Sequence, residues 1–268
     1  MPVTQKSDSG GEPLRLKRLE GKCAVITGAA GGIAMAAAVS FAREGAAVVV
    51  TDIDPKGVQK TADSVNAAGG RVRAVTADVT SRPDVEKLFS VAVELMGGVD
   101  ILVTCAGGYH AYANFEDIKE DDWDRVIALN LKSVYLSCHA AIPFMKKKGW
   151  GRIINLGSLA GRSTSVGSSP AHYAAAKAGV SMLTQYIAKD VAPYHITANT
   201  IAPGTTLTDR VQKLLTPEKR KKFTKMCPLG YLAQPKDIAD VITFFASEES
   251  RYITGATIDV NGGRLMLV

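Results

Sequence analysis

Short apolar runs rich in β-branched residues alternate with longer segments in which apolar residues recur at helical intervals. The short runs lie at 23–27, 46–52, 72–78, 100–107, 151–158, 196–204 and 255–263, and the clearest longer segments lie at 33–45, 82–98, 122–149 and 172–194. Strands that are apolar on both faces and alternate with helices indicate a parallel sheet covered on both sides. Because crossovers between parallel strands are right-handed, the pattern predicts a single-domain α/β fold, a doubly wound parallel sheet with helices on both faces.

Composition changes at only one place, close to the N-terminus. Residues 1–18 are polar with a few spaced leucines and lack the apolar core of a secretory signal, so we expect a flexible extension followed by one domain over 19–268. The 268 residues, 46% of them hydrophobic and 22% charged, suffice for one large α/β domain. No apolar run approaches the roughly 18 residues of a membrane span, and we expect no membrane partner.

Cysteine spacing and charge narrow the possible functions further. The four cysteines are far apart, and no pair has metal-ligand or CxxC spacing: Cys23, Cys105, Cys138 and Cys227. This predicts no metal site and a reduced, cytoplasmic protein. The net charge of +6 comes partly from basic runs at 145–152 and 217–225, which lack interleaved aromatic residues. We therefore expect solvated faces and no nucleic-acid partner.

The first apolar run ends in a glycine-rich turn, TGAAGGIA at 27–34. A doubly wound sheet binds its ligands at the carboxyl ends of its strands. The spacing of Gly28, Gly31 and Gly32 allows a close backbone approach, and the free N–H groups of a following helix favour phosphate. The alternative is a tight strand-to-helix turn without a ligand.

Aspartates end the next two runs. Asp52 is placed to accept hydrogen bonds from an adenine ribose diol. The alternative is a helix N-cap, a role that suits Asp54, just before Pro55, better than Asp52. Asp78 fits either the adenine edge or a cap. The fourth run ends in the small residues CAGG at 105–108, which would let a dinucleotide lie across the strand end.

The stretch HYAAAK at 172–177 places Tyr173 and Lys177 one helical turn apart with alanines between them. Alanine is the strongest helix former, and positions i and i+4 share a face. By itself this pair could be a packed tyrosine beside a lysine whose charge lies in water.

Taken together, these motifs resemble the short-chain dehydrogenase/reductase family over residues 20–263. The glycine turn matches the family's T-G-x-x-x-G-x-G loop except that Ala34 replaces the last glycine. Thr104 and Cys105 replace two asparagines of the family's N-N-A-G motif. We expect this change to remove side-chain hydrogen bonds that brace the central strand and to lower stability there without loss of chemistry.

The resemblance implies a Rossmann-like fold and a catalytic set of Asn130, Ser158, Tyr173 and Lys177. The reaction would interconvert a secondary alcohol and a ketone by hydride transfer, with Tyr173 as general acid/base. The Lys177 ammonium would lower the tyrosine's pKa from about 10 and reach the nicotinamide ribose. Ser158 would donate to the substrate oxygen, or only cap a turn. Asn130 would hold a proton-relaying water, or be satisfied locally in its helix.

The cofactor implied is NAD. Asp52 would repel the 2′-phosphate of NADP, and neither the glycine turn nor Ile53 supplies a basic residue against it. The implied cofactor-binding residues, taken from the strand ends and the family loops, are Gly28, Gly31, Gly32, Ile33, Asp52, Ile53, Asp78, Val79, Ala106, Gly107, Tyr173, Lys177, Pro203, Gly204, Thr206 and Thr208.

The substrate is described least well by the sequence. The loop at 107–115 offers Tyr109, His110 and Tyr112 beside the site, and the resemblance implies a substrate lid near 205–232. The second half is most similar to bacterial hydroxysteroid dehydrogenases and 3-oxoacyl-carrier-protein reductases. A small-molecule alcohol or ketone is the expected substrate, and a homotetramer or dimer the expected assembly. A carrier-protein reductase and a non-catalytic dinucleotide-binding regulator are the alternatives.

Overall fold

The computed structural model describes residues 17–164 and 169–267. Its seven strands form one sheet in the order β3-β2-β1-β4-β5-β6-β7, and every neighbouring pair is parallel. The strands are β1 (Cys23–Thr27), β2 (Ala47–Asp52), β3 (Arg71–Thr76), β4 (Ile101–Thr104), β5 (Gly151–Leu156), β6 (Ile196–Pro203) and β7 (Thr257–Val260). The doubly wound sheet predicted from the alternating pattern is confirmed.

Nine α-helices lie in the described ranges: α1 (Gly32–Arg43), α2 (Pro55–Ala67), α3 (Arg82–Met96), α4 (Glu120–Ile127), α5 (Ser133–Lys148), α6 (Ala171–Val191), α7 (Asp209–Leu214), α8 (Pro217–Lys225) and α9 (Pro235–Ala246). Apolar spacing alone did not single out α2 or α7–α9. Short or strongly polar helices such as α8 show little apolar periodicity, and their ends are set by caps. Thr216, for example, accepts a hydrogen bond from the Lys219 N–H at the start of α8.

The segment predicted at 122–149 is not one regular helix. Helices α4 and α5 are joined by a π-helical turn, Ala128–Lys132, that holds the fully buried Asn130. The continuous run Glu120–Lys148 is long and apolar enough to pass a composition test for a membrane span, although no apolar run in the sequence predicted one. Core helices pass the same test, and 44% of its apolar window is buried inside this structure.

Two hydrophobic layers cover the two faces of the sheet. Successive residues of a strand point to opposite faces, so in β1 Ala24 and Ile26 pack with α1 and α9, whereas Val25 packs with α3 and α5. Both layers contain fully buried aromatic side chains, Phe41 in the first and Phe89 in the second. This explains why the strands read as apolar on both faces.

The domain begins earlier than the sequence predicted. Residues 1–16 of the expected extension lie outside the described residues, but Arg18 does not belong to an extension. Its guanidinium forms an ion pair with Glu44 and another, at 3.3 Å, with Glu249. Its neighbour Leu19 is buried and donates a backbone hydrogen bond to the Glu44 carbonyl. These contacts tie residue 18 to the ends of α1 and α9.

The centre of the sheet is braced by side chains despite the substitutions at 104 and 105. Thr104 donates to the Asn155 side-chain oxygen at 2.8 Å, and Asn155 donates to the Thr184 hydroxyl at 2.9 Å. The Thr200 hydroxyl joins the same Thr184 oxygen at 2.9 Å. The expected loss of bracing at β4 is therefore wrong, because Asn155 on the neighbouring strand provides the amide.

Candidate active site

The glycine turn after β1 lies against the end of β4. Gly28 has φ of +71°, and a Cβ there would lie 2.6 Å from the backbone nitrogen of Ala106. Only glycine satisfies both constraints. The turn thereby brings the start of α1 to the carboxyl edge of the sheet, between β1 and β4.

The N-terminus of α1 suits a phosphate group. Its N-cap, Gly31, makes no side-chain capping bond, and the first turn contains no acidic residue. A Cβ on Gly31 would meet nothing within 4 Å, whereas one on Gly32 would touch the Thr208 side chain at 3.0 Å. Unpartnered N–H groups at a helix start bind phosphate. Gly31, Gly32 and Ile33 could therefore hold the pyrophosphate of a dinucleotide, with Thr208 above them.

Asp52 lies at the end of β2 and orients two backbone groups. Its carboxylate oxygens accept hydrogen bonds of 3.0 Å from the N–H groups of Ala30 and Asp54. Asp54 caps α2 by accepting from the Lys56 N–H, as the sequence predicted. The side chain of Ile53 is 68% exposed at the same edge. This leaves Asp52 free of the capping role and places it where a ribose diol would lie.

Asp78 turns the chain after β3. Its side chain accepts hydrogen bonds from both the N–H and the hydroxyl of Thr80, while Ser81 caps α3. Its backbone N–H and that of the buried Val79 lie at the same sheet edge, where the N–H of Asp78 is taken by the Asp84 carboxylate at 3.1 Å. The Asp78 side chain therefore stabilises a turn, and the residue that caps α3 is Ser81.

Asn130 fixes the loop after β4. Its side-chain oxygen accepts from the Gly108 N–H at 2.8 Å, and its amide nitrogen donates to the carbonyls of Gly108 and Val126. Both amide N–H groups of Asn130 are therefore bonded within the protein. This agrees with the alternative in which Asn130 is satisfied locally. One consequence is that Ala106, Gly107 and Gly108 are held at the strand end, beside α6.

Lys177 is buried one turn along α6 from Tyr173. Its ammonium donates a hydrogen bond of 2.6 Å to the carbonyl of Leu156, the last residue of β5, and the side chain is 3% exposed. Burial lowers the pKa of Lys177 to about 8. A Cβ on Gly107 would lie 3.2 Å from the ammonium, so the lysine faces the loop after β4.

Tyr173 and Ser158 are brought together by α6 and the end of β5. Ser158 lies close enough to the Tyr173 hydroxyl to lower its pKa, and it also caps a 3-10 turn, Leu159–Gly161, by accepting from the Ala160 N–H at 3.1 Å. Both predicted roles of the serine, partner and cap, are therefore compatible.

The tyrosine's pKa differs from the sequence-based expectation. Burial raises the pKa of Tyr173 above its ordinary value, and the Ser158 hydrogen bond and the Arg210 charge lower it by less. The Lys177 ammonium lies 5.9 Å from the tyrosine ring centroid and bonds to Leu156, and its charge does not bring the pKa of Tyr173 below the ordinary value in the protein alone. The expectation that the lysine depresses this pKa is wrong for this state.

The loop after β6 completes the edge. The Gly204 N–H donates to the Val260 carbonyl at 2.9 Å, and the Thr206 hydroxyl donates to the Gly204 carbonyl at 3.2 Å. Thr208 caps α7 by accepting from the Val211 N–H. Pro203 ends β6, and Thr206 forms a bridge with Ala233. The chain after Thr208 packs through a small cluster of its own around Leu207, Cys227 and Leu232.

Tyr109 and Arg210 lie beside Tyr173. The ring of Tyr109, one of the loop residues singled out by sequence, lies 4.9 Å from the Tyr173 ring. His110 and Tyr112 point to solvent. Arg210 on α7 donates to the Tyr109 carbonyl, and sequence reasoning missed it. The two residues are 101 positions apart, so no local spacing could have linked them.

In the described ranges, no three histidine, cysteine or acidic side chains are grouped to hold a metal ion. The four cysteines are all free. The carboxyl ends of the strands bring together a site that suits a dinucleotide and the side chains of Ser158, Tyr173 and Lys177. These three side chains are suited to transferring a proton to or from a carbinol oxygen.

Comparison with known proteins identifies this arrangement. A family model described as enoyl-(acyl carrier protein) reductase matches residues 28–264. The chain is 38% identical to a 3-oxoacyl-[acyl-carrier-protein] reductase of Thermotoga maritima, over 92% of this chain and 98% of the relative. It is 36% identical to a 7alpha-hydroxysteroid dehydrogenase of Escherichia coli, over 92% of this chain and 95% of the relative.

A solved structure agrees with these sequence relatives. A short-chain type dehydrogenase/reductase from Mycobacterium marinum superposes with a TM-score of 0.88 at 30% identity, covering 95% of this chain and 99% of the other. The chain therefore belongs to the short-chain dehydrogenase/reductase family and is an oxidoreductase that acts on alcohol or ketone groups.

Proposed function

We propose that the protein is an NAD-dependent dehydrogenase of a secondary alcohol, or reductase of the corresponding ketone, with Tyr173 as its general acid/base. The observation that carries this proposal is the placement of Ser158 close enough to the Tyr173 hydroxyl to lower its pKa, one helical turn from the buried Lys177. That geometry offers two hydroxyl groups to one substrate oxygen at the edge where the dinucleotide cradle lies.

The proton follows a short path in the direction of oxidation. The Ser158 hydroxyl holds the carbinol oxygen, and the ionised Tyr173 oxygen takes its proton as the carbonyl forms. Bound NAD supplies the acceptor for the hydride that leaves the carbinol carbon. In reduction, Tyr173 returns the proton to the carbonyl oxygen, so atoms and charge balance in both directions.

Lys177 and Arg210 would make ionisation of Tyr173 easier. With a pKa of about 8, Lys177 is mostly charged at pH 7, and it is positioned by Leu156 to bond a ribose hydroxyl of the cofactor. Arg210 already lowers the phenol's pKa in the protein alone. Because burial raises the pKa of Tyr173, ionisation of the tyrosine depends on these two positive charges.

The test combines substrates and one substitution. Secondary alcohols, a bile acid and an acetoacetyl thioester are assayed with NAD(H) and NADP(H). Tyr173→Phe should lower kcat by about 10²–10⁴-fold, the usual contribution of a general acid/base, while the cofactor Kd from NADH fluorescence stays within about threefold. Tyr186→Phe, on the same helix but 66% exposed, is the matched control and should keep full activity.

Two outcomes would refute the proposal. A Tyr173→Phe variant with more than about a tenth of the wild-type rate would remove the tyrosine from its role. Absence of turnover with every substrate, combined with tight NADH binding, would favour the non-catalytic dinucleotide-binding alternative.

A second candidate is a 3-oxoacyl-carrier-protein reductase. It is favoured by α8, which exposes a row of basic side chains beside the site: Lys219, Arg220, Lys221, Lys222 and Lys225. An acidic carrier would be attracted by them. Turnover of a carrier-bound thioester should then fall steeply with salt, because exposed charges are screened beyond about 8 Å at physiological ionic strength. Salt-independent rates would leave α8 as a solvated face.

Assembly and location are part of the proposal. We infer a homotetramer or dimer, since helices α4–α6 keep large apolar side chains at the surface, including Trp123, Met182 and Tyr186. A cytoplasmic location is supported by the four free cysteines, which suit a reducing compartment.

A further inference from the structure

Arg210 reaches across the mouth of the candidate site. It is the second residue of α7, and its guanidinium donates a hydrogen bond to the Tyr109 carbonyl. It lies so close to Gly108 that a Cβ there would overlap it. Since the Tyr109 ring packs 4.9 Å from the Tyr173 ring, the guanidinium is next to the residue on which the reaction depends.

The charge of Arg210 has no acidic partner. Within residues 17–164 and 169–267, no ion pair joins Arg210 to a carboxylate, whereas Arg18, Lys148 and Arg162 each have one. A guanidinium carries five N–H donors in a planar fork, and among the described residues the Tyr109 carbonyl is the one acceptor that bonds to them. The remaining donors are free to bind a planar anion at the mouth of the site.

The Arg210 guanidinium and the Lys177 ammonium lie beside the same loop, the one that follows β4. A Cβ built on Gly107 would lie 3.2 Å from the Lys177 ammonium, and a Cβ built on Gly108 would overlap the Arg210 guanidinium. Adjacent α-carbons are about 3.8 Å apart, so the two cations lie at neighbouring residues of one loop. An anion bound by Arg210 would thus lie beside Tyr109, whose ring contacts that of Tyr173, and near enough to Tyr173 for the guanidinium charge to lower its pKa.

We propose that Arg210 determines substrate specificity by binding a carboxylate, and that the substrates are small hydroxy acids or oxo acids with the acid group two or three bonds from the carbinol carbon. This inference rests on the proposed function, because the anion is placed relative to Tyr173. Arginine pairs with carboxylates through two parallel hydrogen bonds, which fixes orientation as well as affinity. Exposed Tyr112 and the Tyr109 ring would flank the carbon chain.

The test uses a binding measurement that does not require turnover. Acetoacetate and methyl acetoacetate have the same skeleton and differ by one charge, and neither can react in the presence of NAD⁺. Their binding to the NAD⁺-saturated enzyme is measured by calorimetry. We expect the acid to bind about tenfold more tightly or better, as a charge-assisted hydrogen-bonded pair contributes. The same ratio is expected in kcat/KM for 3-hydroxybutyrate against its methyl ester.

Variants separate the guanidinium from general effects of charge. Arg210→Gln should bring the acid-to-ester ratio to about one, and Arg210→Lys should restore it only in part, because an ammonium lacks the planar fork. Lys213→Gln removes one charge from the exposed face of the same helix and should leave the ratio unchanged. The Kd of NADH, measured by fluorescence, should be the same in all four proteins.

Several results would overturn the inference. Equal binding of acid and ester by the wild-type protein, or an unchanged acid-to-ester binding ratio in Arg210→Gln, would show that the arginine does not bind a carboxylate. A tenfold loss of NADH affinity in Arg210→Gln would assign the residue to the cofactor pyrophosphate. Turnover of neutral alcohols without binding of the acid would refute the inference and leave the proposed function intact, whereas no turnover of any alcohol would refute the proposed function.

Discussion

At the scale of a single residue, we expect the carboxylate of Asp52 to discriminate between NAD and NADP. Its oxygens are oriented by the N–H groups of Ala30 and Asp54, so the charge is fixed at the end of β2. The 2′-phosphate of NADP would be placed against it. We expect NAD to be preferred by at least about tenfold in kcat/KM and in the Kd of the reduced cofactor, about 1.4 kcal/mol of discrimination.

Asp52→Asn keeps the shape and removes the charge, so this preference should shrink toward one. Asp54→Asn, which alters only the α2 cap, is the control and should keep it. An unchanged ratio in Asp52→Asn would mean that the carboxylate serves the turn alone.

Lys177 makes the stability of the protein depend on pH. Its pKa is about 8 in the folded protein and near 10.5 when the chain is unfolded. Between these values the unfolded chain binds more protons, so the free energy of unfolding should rise with pH by about 1.4 kcal/mol per unit. Below about pH 8 the buried charge lowers stability by a constant amount.

Urea unfolding of the wild-type protein and of Lys177→Met at pH 7, 8 and 9.5 isolates this contribution. The difference between the two proteins should be flat from pH 7 to about 8 and then shift in favour of the wild type. A difference that stays constant to pH 9.5 would show that the lysine titrates normally.

The sequence predicted individual residues well where the signal was local. Tyr173 and Lys177 lie one helical turn apart, and Gly28 and Asp52 end strands whose apolar runs are clear, so their placement at one edge followed from the topology. Arg210 could not be found, because its contact with Tyr109 depends on how two distant loops fold over one site. The raised pKa of Tyr173 was missed for a similar reason, since burial is a property of the whole surroundings.

At the scale of elements, the packing of one turn on α6 positions Ser158 relative to Tyr173 and Lys177, the side chains proposed to be catalytic. The 3-10 turn Leu159–Gly161 follows Ser158 and lies directly on α6. A Cβ on Gly161 would be 2.6 Å from the Ala178 backbone nitrogen and from the Lys177 carbonyl carbon. The turn and the helix can be this close only because residue 161 has no side chain.

Gly161→Ala should therefore push the turn away from α6. We expect a loss of about 1–3 kcal/mol in the free energy of unfolding, as for other overpacked sites, and a drop in kcat larger than that in cofactor affinity. Chemical denaturation and steady-state kinetics measure both. Gly69→Ala is a useful contrast, since its φ of +83° strains the backbone but its Cβ would meet nothing within 4 Å. It should lower stability without affecting kcat, and an equal kcat loss in both variants would contradict the argument.

Elements were predicted to different degrees, and the reason is physical. The strand β5 is buried along its whole length and α6 is buried at helical intervals, and the sequence displays both patterns. Helices α7 and α8 are short, mostly exposed and bounded by caps, so their residues carry almost no apolar period. The π-helical turn at Ala128–Lys132 is also invisible to a pattern that assumes 3.6 residues per turn.

At the scale of the whole molecule, helix α6 exposes large apolar side chains to solvent. Met182 and Tyr186 lie one turn apart on α6 and are 55% and 66% exposed. Positions at this spacing share a face, and exposed apolar patches mark association sites. We expect self-association through this face, in a dimer or tetramer with closed symmetry.

Multi-angle light scattering at micromolar concentration tests this expectation. The wild-type protein should elute as a dimer or tetramer, and Met182→Lys with Tyr186→Lys should reduce the mass by at least a factor of two. Tyr252→Lys, at a fully exposed position on the turn before β7, is the control. A monomeric wild-type protein, or a double variant of unchanged mass, would place the interface elsewhere or remove it.

The hydroxyl chain through β4, β5 and β6 has a consequence for sequence redesign. The Thr184 hydroxyl accepts from Asn155 and Thr200 and donates to the Val180 carbonyl, which exhausts its hydrogen-bonding capacity. Every proton in the chain therefore has a fixed direction, and Thr104 must donate to Asn155. Consensus design would exchange Thr104 for the family's asparagine as an isolated improvement. Here residue 104 must donate to the Asn155 oxygen, so the exchange would keep the chain only where the new asparagine directs its amide N–H groups, and not its oxygen, at Asn155.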